Sequence, residues 1–363
     1  MIKIKKMIRH ILMTARIDST EWIYSMELAR ALSSHGGRVS LCISGGLLTK
    51  EQRREAARVP GLAVFDTGED LTWSGGFPKD LTKATNILRK LEENLRPDVV
   101  HLNGFTYGPV VFNMPVVLAA HSTAETMPGI VDTSDRLRYR AEMSASLEFA
   151  DLVVAPTFAL LEDLKRSFPF NTPCRVIPYF RQVTESKATA KRRYIYSAGQ
   201  ASENKSLLAT VETVAEEMNW PIVSAPDPVF GSIFSTGQTS ETKTVPAKPS
   251  DQISKAAIYF LPAGSEPSDA CVLEGALSRC ALVIGDVPNL RENWNHCAMF
   301  VPPGDTESLK NNLRLLISDQ DLREELGVRA YERAKEFSPE RCIDAWLDVY
   351  QSAHASKLKH TAK

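Results

Sequence analysis

Two short, uninterrupted apolar runs constrain this chain more than any other feature: residues 256–261 (AAIYFL) and 281–284 (ALVI), the second broken by Gly285-Asp286. Runs of that length without polar alternation are strands buried on both faces, as in a parallel sheet covered by helices. Between them lie Pro262, the turn residues Ala263-Gly264-Ser265, and Pro267 placed to start a helix. Strand, turn, helix, strand is a βαβ unit, and parallel sheets built from such units bind ligands at the carboxyl ends of their strands. Two acids fall in that zone, Glu266 and Glu274. On a helix starting near Pro267 their separation spans roughly 12 Å.

The same alternation fills most of the chain. Strand patterns at 8–15, 38–44, 63–65, 99–102, 116–120, 152–155 and 175–177 are interleaved with helical spacing at 21–34, 82–94, 136–149 and 158–167. Residues 181–193 (RQVTESKATAKRR) are polar and aperiodic and read as a linker. The pattern then restarts with a strand at 194–197, a helix at 206–217 and a strand at 222–224. Residues 226–249 are loop-like, and after Gly304 the chain reads as helices at 306–317, 320–337 and 339–355. This predicts an α/β protein made of two doubly wound, Rossmann-like domains facing across a cleft. The expected boundaries are 1–182, a linker at 183–193, a second domain at 194–338, a helix at 339–356 packing back on the first domain, and a tail at 357–363.

A length of 363 residues fits two domains. Lys+Arg 43 against Asp+Glu 44 leaves a net charge of −1, so no overall field points to nucleic acid. Six cysteines without a CxxC pair fit reduced thiols and a cytoplasmic protein. No apolar stretch reaches membrane-spanning length. The basic start MIKIKKMIRHILMTA reads as the entry to the first strand; its lysines leave peripheral contact with a membrane as an expectation.

Glu266-Pro267, Glu274-Gly275-Ala276-Leu277, the strand 281–284 and Val301-Pro302-Pro303-Gly304-Asp305 resemble the carboxyl-terminal domain of retaining glycosyltransferases of the GT-B fold, family 4. Arg96-Pro97-Asp98-Val99-Val100-His101, Ala150-Asp151-Leu152-Val153-Val154-Ala155, Val176-Ile177-Pro178, and Gly199 with Lys205 extend the resemblance over nearly the whole chain. It implies a hexosyltransferase that takes a nucleoside diphosphate-sugar to a glycan, lipid-linked or small-molecule acceptor. The implied setting is cell-surface polysaccharide or glycoconjugate synthesis, with the acceptor on the first domain and the donor on the second. The roughly 12 Å between the two acids matches the reach from ribose to sugar in such a donor.

Residue by residue, the resemblance gives Glu274 the ribose hydroxyls, Glu266 the transferred sugar, Lys205 the diphosphate and His121 a place near the donor sugar. Gly199, Gln200, Ser268, Asp269 and Ala270 complete the implied donor site, with no metal, no cofactor and no covalent nucleophile. Four positions depart from the family pattern. Asp18-Ser19-Thr20-Glu21 replaces a Gly-Gly loop, Gln200 an arginine, Ser268-Asp269 a Phe-Gly pair, and Tyr179-Phe180 an Asn-Gly pair. Arg16 or Arg181 is then the candidate for the missing cation. These departures keep an alternative open, a nucleotide-sugar binding or scaffolding protein of the same fold without efficient transfer. A nucleotide-sugar epimerase is a third reading, for which the sequence offers no matching arrangement of acids and histidine.

Overall fold

A computed structural model describes residues 8–17, 19–68, 81–107, 110–122, 133–182, 190–198, 205–224, 249–262 and 269–361. The chain divides into two compact units, Met1–Phe180 with Pro339–Lys363, and Arg181–Ser338.

Unit 1 runs β1 (His10–Arg16), α1 (Thr20–Ser34), β2 (Arg38–Ser44), α2 (Lys50–Ala56), β3 (Leu62–Asp66), α3 (Leu81–Leu95), β4 (Val99–Asn103), β5 (Val116–Ala119), α4 (Thr133–Phe149), β6 (Leu152–Ala155), α5 (Phe158–Ser167) and β7 (Cys174–Val176). Its seven strands are ordered β3-β2-β1-β4-β5-β6-β7, and every pairing is parallel. The central strands are buried on both faces, which explains their unbroken apolar sequences. Strand order reverses between β1 and β4, so the crevice of this sheet lies beyond Arg16 and Asn103.

Unit 2 runs β8 (Arg192–Ser197), α6 (Lys205–Glu217), β9 (Ile222–Ser224), α7 (Pro249–Ile253), β10 (Ala256–Leu261), α8 (Asp269–Leu277), β11 (Ala281–Gly285), α9 (Pro288–Trp294), β12 (Ala298–Val301), α10 (Thr306–Ser318) and α11 (Gln320–Ala334). The parallel order is β12-β11-β10-β8-β9, with the switch point between β8 and β10. The closing helix α12 (Pro339–Thr361) packs in unit 1 against α1 and strands β4 to β6.

Several elements differ from the sequence expectation for identifiable reasons. Helix α2 buries only Ala56 and therefore has no apolar period; a capping box between Thr49 and Gln52 starts it instead. Strand β8 begins at Arg192, because the Arg192 N–H donates to Lys255 O at 2.7 Å, so the linker is shorter than 183–193. Helix α9 and strand β12 arise in a segment to which no element was assigned. The expected tail at 357–363 is helical as far as Thr361. Lys357 anchors that turn, donating to Phe112 O at 3.4 Å and lying 3.8 Å from the Asp151 carboxylate.

Close packing in unit 2 fixes two glycines. A Cβ on Gly275 of α8 would meet the Tyr259 ring at 2.7 Å, and one on Gly327 of α11 would meet Arg279 O at 2.6 Å. Helix α8 therefore lies directly against β10, and Tyr259 Oη of β10 donates to Cys271 O of α8 at 3.0 Å.

Candidate donor site and histidine network

The segments that carry most of the predicted donor residues leave adjacent strands at the switch point of unit 2. Residues 199–204 follow β8, and residues 263–268 follow β10. Gly199, Gln200, Glu266 and Ser268 lie in those segments and outside the described residues. Lys205 and Asp269 open α6 and α8, the two helices that follow, and their side chains are likewise not described. Ala270 is buried in the first turn of α8.

Glu274 is described in full. It stands on the second turn of α8, half-buried, with its carboxylate 3.3 Å from Nη1 of Arg181. Arg181 is the first residue of unit 2, and its backbone N–H is tied to Phe337 O at 3.1 Å. Beyond β11, the Asp286 carboxylate takes two hydrogen bonds from Arg291 at 2.5 and 2.6 Å, and that bonding holds its pKa below the ordinary value.

His121 lies in unit 1, just past β5, inside a buried polar and aromatic network. Asn103 closes β4 and is its hub: its amide N–H groups donate to Thr14 O at 2.7 Å and Ser25 Oγ at 3.0 Å. A carbonyl only accepts, so the amide nitrogen must face Thr14 and Oδ1 must face the histidines. Oδ1 lies 3.1 Å from Nε2 of His101 and 2.9 Å from Nε2 of His121. Both Nε2 atoms therefore carry hydrogen. The two Nδ1 atoms then accept from hydroxyls, Tyr350 for His101 at 2.8 Å and Tyr179 for His121 at 2.7 Å. Burial keeps both rings neutral, lowering His101 to about 3 and His121 to about 4.

Rings close the network. Trp346 stacks on His101 at 5.0 Å, Tyr179 stacks on His121 at 5.6 Å, and Tyr24 meets His121 edge-on at 4.9 Å. Trp346 and Tyr350 are core residues of α12. His121 thus has a protein partner on each nitrogen, and proton transfer through either would break one of those bonds. Sequence reasoning missed Asn103 and Tyr179. The available signal was His101 and Asn103, polar residues two apart within an apolar strand and therefore on one face.

At the switch point of unit 1, Ser19 caps α1, and the Glu21 carboxylate folds back to accept the Arg16 N–H at 2.8 Å. Gly104, with φ +76, leaves room on the other side: a Cβ there would stand 3.4 Å from Glu21 Oε1. This crevice therefore contains a carboxylate where a helix amino terminus would otherwise attract an anion. A cavity of about 450 Å³ lined by Glu148, Asp151, Asn171 and Thr172 is at the opposite, amino-terminal end of β6 and β7.

The whole chain has the fold of solved glycosyltransferases. Sucrose-phosphate synthase from Thermosynechococcus elongatus is 14% identical at TM-score 0.69, covering 96% of this chain and 100% of that one. A TarM variant from S. aureus, in complex with fondaparinux, α-GlcNAc-glycerol and UDP, is 10% identical at TM-score 0.72, covering 94% and 100%. HepE from Anabaena, in complex with UDP and glucose, is 12% identical at TM-score 0.68, covering 95% and 100%. No curated protein matches the chain by sequence. The chain has the GT-B fold that these glycosyltransferases share. Residues 23–180, less than half the chain and all in unit 1, match the Glycosyltransferase Family 4 model. The match lies within unit 1, and unit 2 is likened to these proteins by its fold alone.

Proposed function

We propose that the protein transfers a hexose, with retention of configuration, from a nucleoside diphosphate-sugar bound at unit 2 to a glycan, lipid-linked or small-molecule acceptor bound at unit 1. The observation that carries this reading is Glu274, a half-buried carboxylate on the helix leaving the unit 2 switch point, in contact with Arg181 at 3.3 Å. A carboxylate there has the acceptor oxygens to hold both hydroxyls of a ribose. UDP in the TarM and HepE complexes supports a uridine nucleotide as the first donor to test.

In the proposed reaction the bond from the anomeric carbon to the phosphate oxygen breaks, and the phosphate leaves with the electron pair. The acceptor oxygen attacks on the same face, and its proton passes to the departing phosphate. Glu266 orients the transferred sugar, and Lys205 stabilises the charge that develops on the diphosphate. No metal and no covalent nucleophile is required in this scheme. His121 serves as a fixed, neutral ring, in keeping with its two occupied nitrogens.

Among the described residues no helix is long and apolar enough to cross a membrane. The six cysteines are all free, which supports the cytoplasm as the compartment. A role in cell-surface polysaccharide or glycoconjugate synthesis, with peripheral contact at the inner face of the membrane, is part of the same proposal.

Purified protein challenged with a panel of nucleoside diphosphate-sugars tests this. One donor is expected to raise the melting temperature and to release nucleoside diphosphate when mixed acceptors are added. Loss of release in Glu266→Ala, with the fold intact, supports transfer. A panel without any thermal shift refutes it, and binding without release with any acceptor leaves the scaffolding alternative in its place.

A further inference from the structure

The contact between Arg181 and Glu274 is poorly matched for a partly buried ion pair. Nη1 lies 3.3 Å from a carboxylate oxygen, although a guanidinium can place two parallel N–H groups on a carboxylate at shorter range. The Arg181 Nε is buried and has no hydrogen-bond partner among the described residues. The backbone is fixed through the Arg181 N–H to Phe337 O, so any adjustment falls to the side chain. The arrangement thus leaves a strong donor unsatisfied at low exposure, a state that an added acceptor would relieve.

We propose that Arg181 is a ligand-binding residue for the diphosphate of the nucleotide, and that Glu274 holds it in reserve while the site is empty. This rests on the reading of Glu274 as the ribose contact. When the nucleotide enters, its ribose hydroxyls take the Glu274 carboxylate, and the released guanidinium turns to the phosphate oxygens. Those oxygens supply the planar array of acceptors that one carboxylate oxygen at 3.3 Å does not. Arg16, the other arginine that the sequence offers, is in unit 1 and closes β1. The exchange moves no proton and breaks no covalent bond.

The ratio of UDP affinity to uridine affinity, measured by calorimetry, reads this directly. In the wild type UDP is expected to bind far more tightly than uridine. In Arg181→Gln the UDP affinity should fall tenfold or more while uridine binding holds or improves, because Glu274 is no longer occupied. Arg181→Lys keeps the charge and should recover part of the ratio, and it covers the case in which the glutamine variant is poorly folded. Equal loss for UDP and uridine would assign Arg181 a structural role and overturn the inference. So would an unchanged UDP affinity in a folded variant, although Glu274 as ribose contact would then stand. A wild type that binds none of UDP, GDP and ADP removes the nucleotide reading and this inference together.

Discussion

Acidification from pH 7 to pH 5 should destabilise unit 1 by an amount that its histidine network sets. Burial lowers His121 to about 4 and His101 to about 3, whereas an unfolded chain titrates its histidines near 6.5. Across the window between these values the unfolded state binds more protons, so stability rises with pH and is lost as acid is added. Above the unfolded value both states are neutral and the effect vanishes; below the folded values the loss reaches its limit. Integrated from pH 7 to pH 5, each ring contributes about 2 kcal/mol of loss, or about 4 kcal/mol for the pair if they titrate independently. Most carboxylates titrate below this range. His10, lowered by burial and by Arg38, adds a loss of the same sign. Urea unfolding at the two pH values measures the effect, with tryptophan fluorescence as probe because Trp346 stacks on His101 at 5.0 Å. Asn103→Asp is the diagnostic variant: a carboxylate accepting from both Nε2–H groups favours the protonated rings, so the loss on acidification should shrink. A wild type whose stability changes by less than about 0.5 kcal/mol over the range would refute the neutral, doubly bonded assignment.

Glu274→Ala should weaken nucleotide binding by about 1.5–3 kcal/mol, the worth of hydrogen bonds to a charged group; a loss of a few tenths in calorimetry would assign it to the surface. Tyr24→Phe should be neutral or slightly stabilising in urea unfolding, because the Tyr24 hydroxyl is buried without a partner among the described residues. Tyr179→Phe should cost about 1 kcal/mol, because it strips the donor from His121 Nδ1. Equal effects of the two substitutions would contradict the hydrogen-bond pattern. Gly275→Ala, whose Cβ would meet the Tyr259 ring at 2.7 Å, should destabilise unit 2 by about 1–3 kcal/mol, visible as a lower urea midpoint.

The architecture was legible because buried parallel strands leave unbroken apolar runs, and β4, β5, β6, β10 and β11 each do so. Elements that bury little were not, as with α2, whose helix rests on a capping box. The site divides on the same grounds. Glu274 was readable from the acids flanking a βαβ turn. The bonding of His121 was not, since it depends on Tyr179 and Asn103, brought together by strands distant in sequence. Arg181 sat in a segment that looked like a plain linker, and only the folded unit sets it against Glu274.

Under the proposed function the charges near the two switch points bear on which unit takes the phosphate. In a bare Rossmann-like crevice the amino terminus of the first helix favours an anion. In unit 1 the Glu21 carboxylate accepts the Arg16 N–H at the end of β1, and the nearby histidines are neutral. Unit 2 instead pairs its carboxylate with an arginine in a contact that leaves Nε–H unbonded among the described residues. Under the proposed function a diphosphate at unit 2 meets the Arg181 cation and leaves the Glu274 carboxylate for hydroxyls. Under the proposed function the departures at Asp18-Ser19-Thr20-Glu21 belong to an acceptor-binding unit and do not count as loss of a phosphate site.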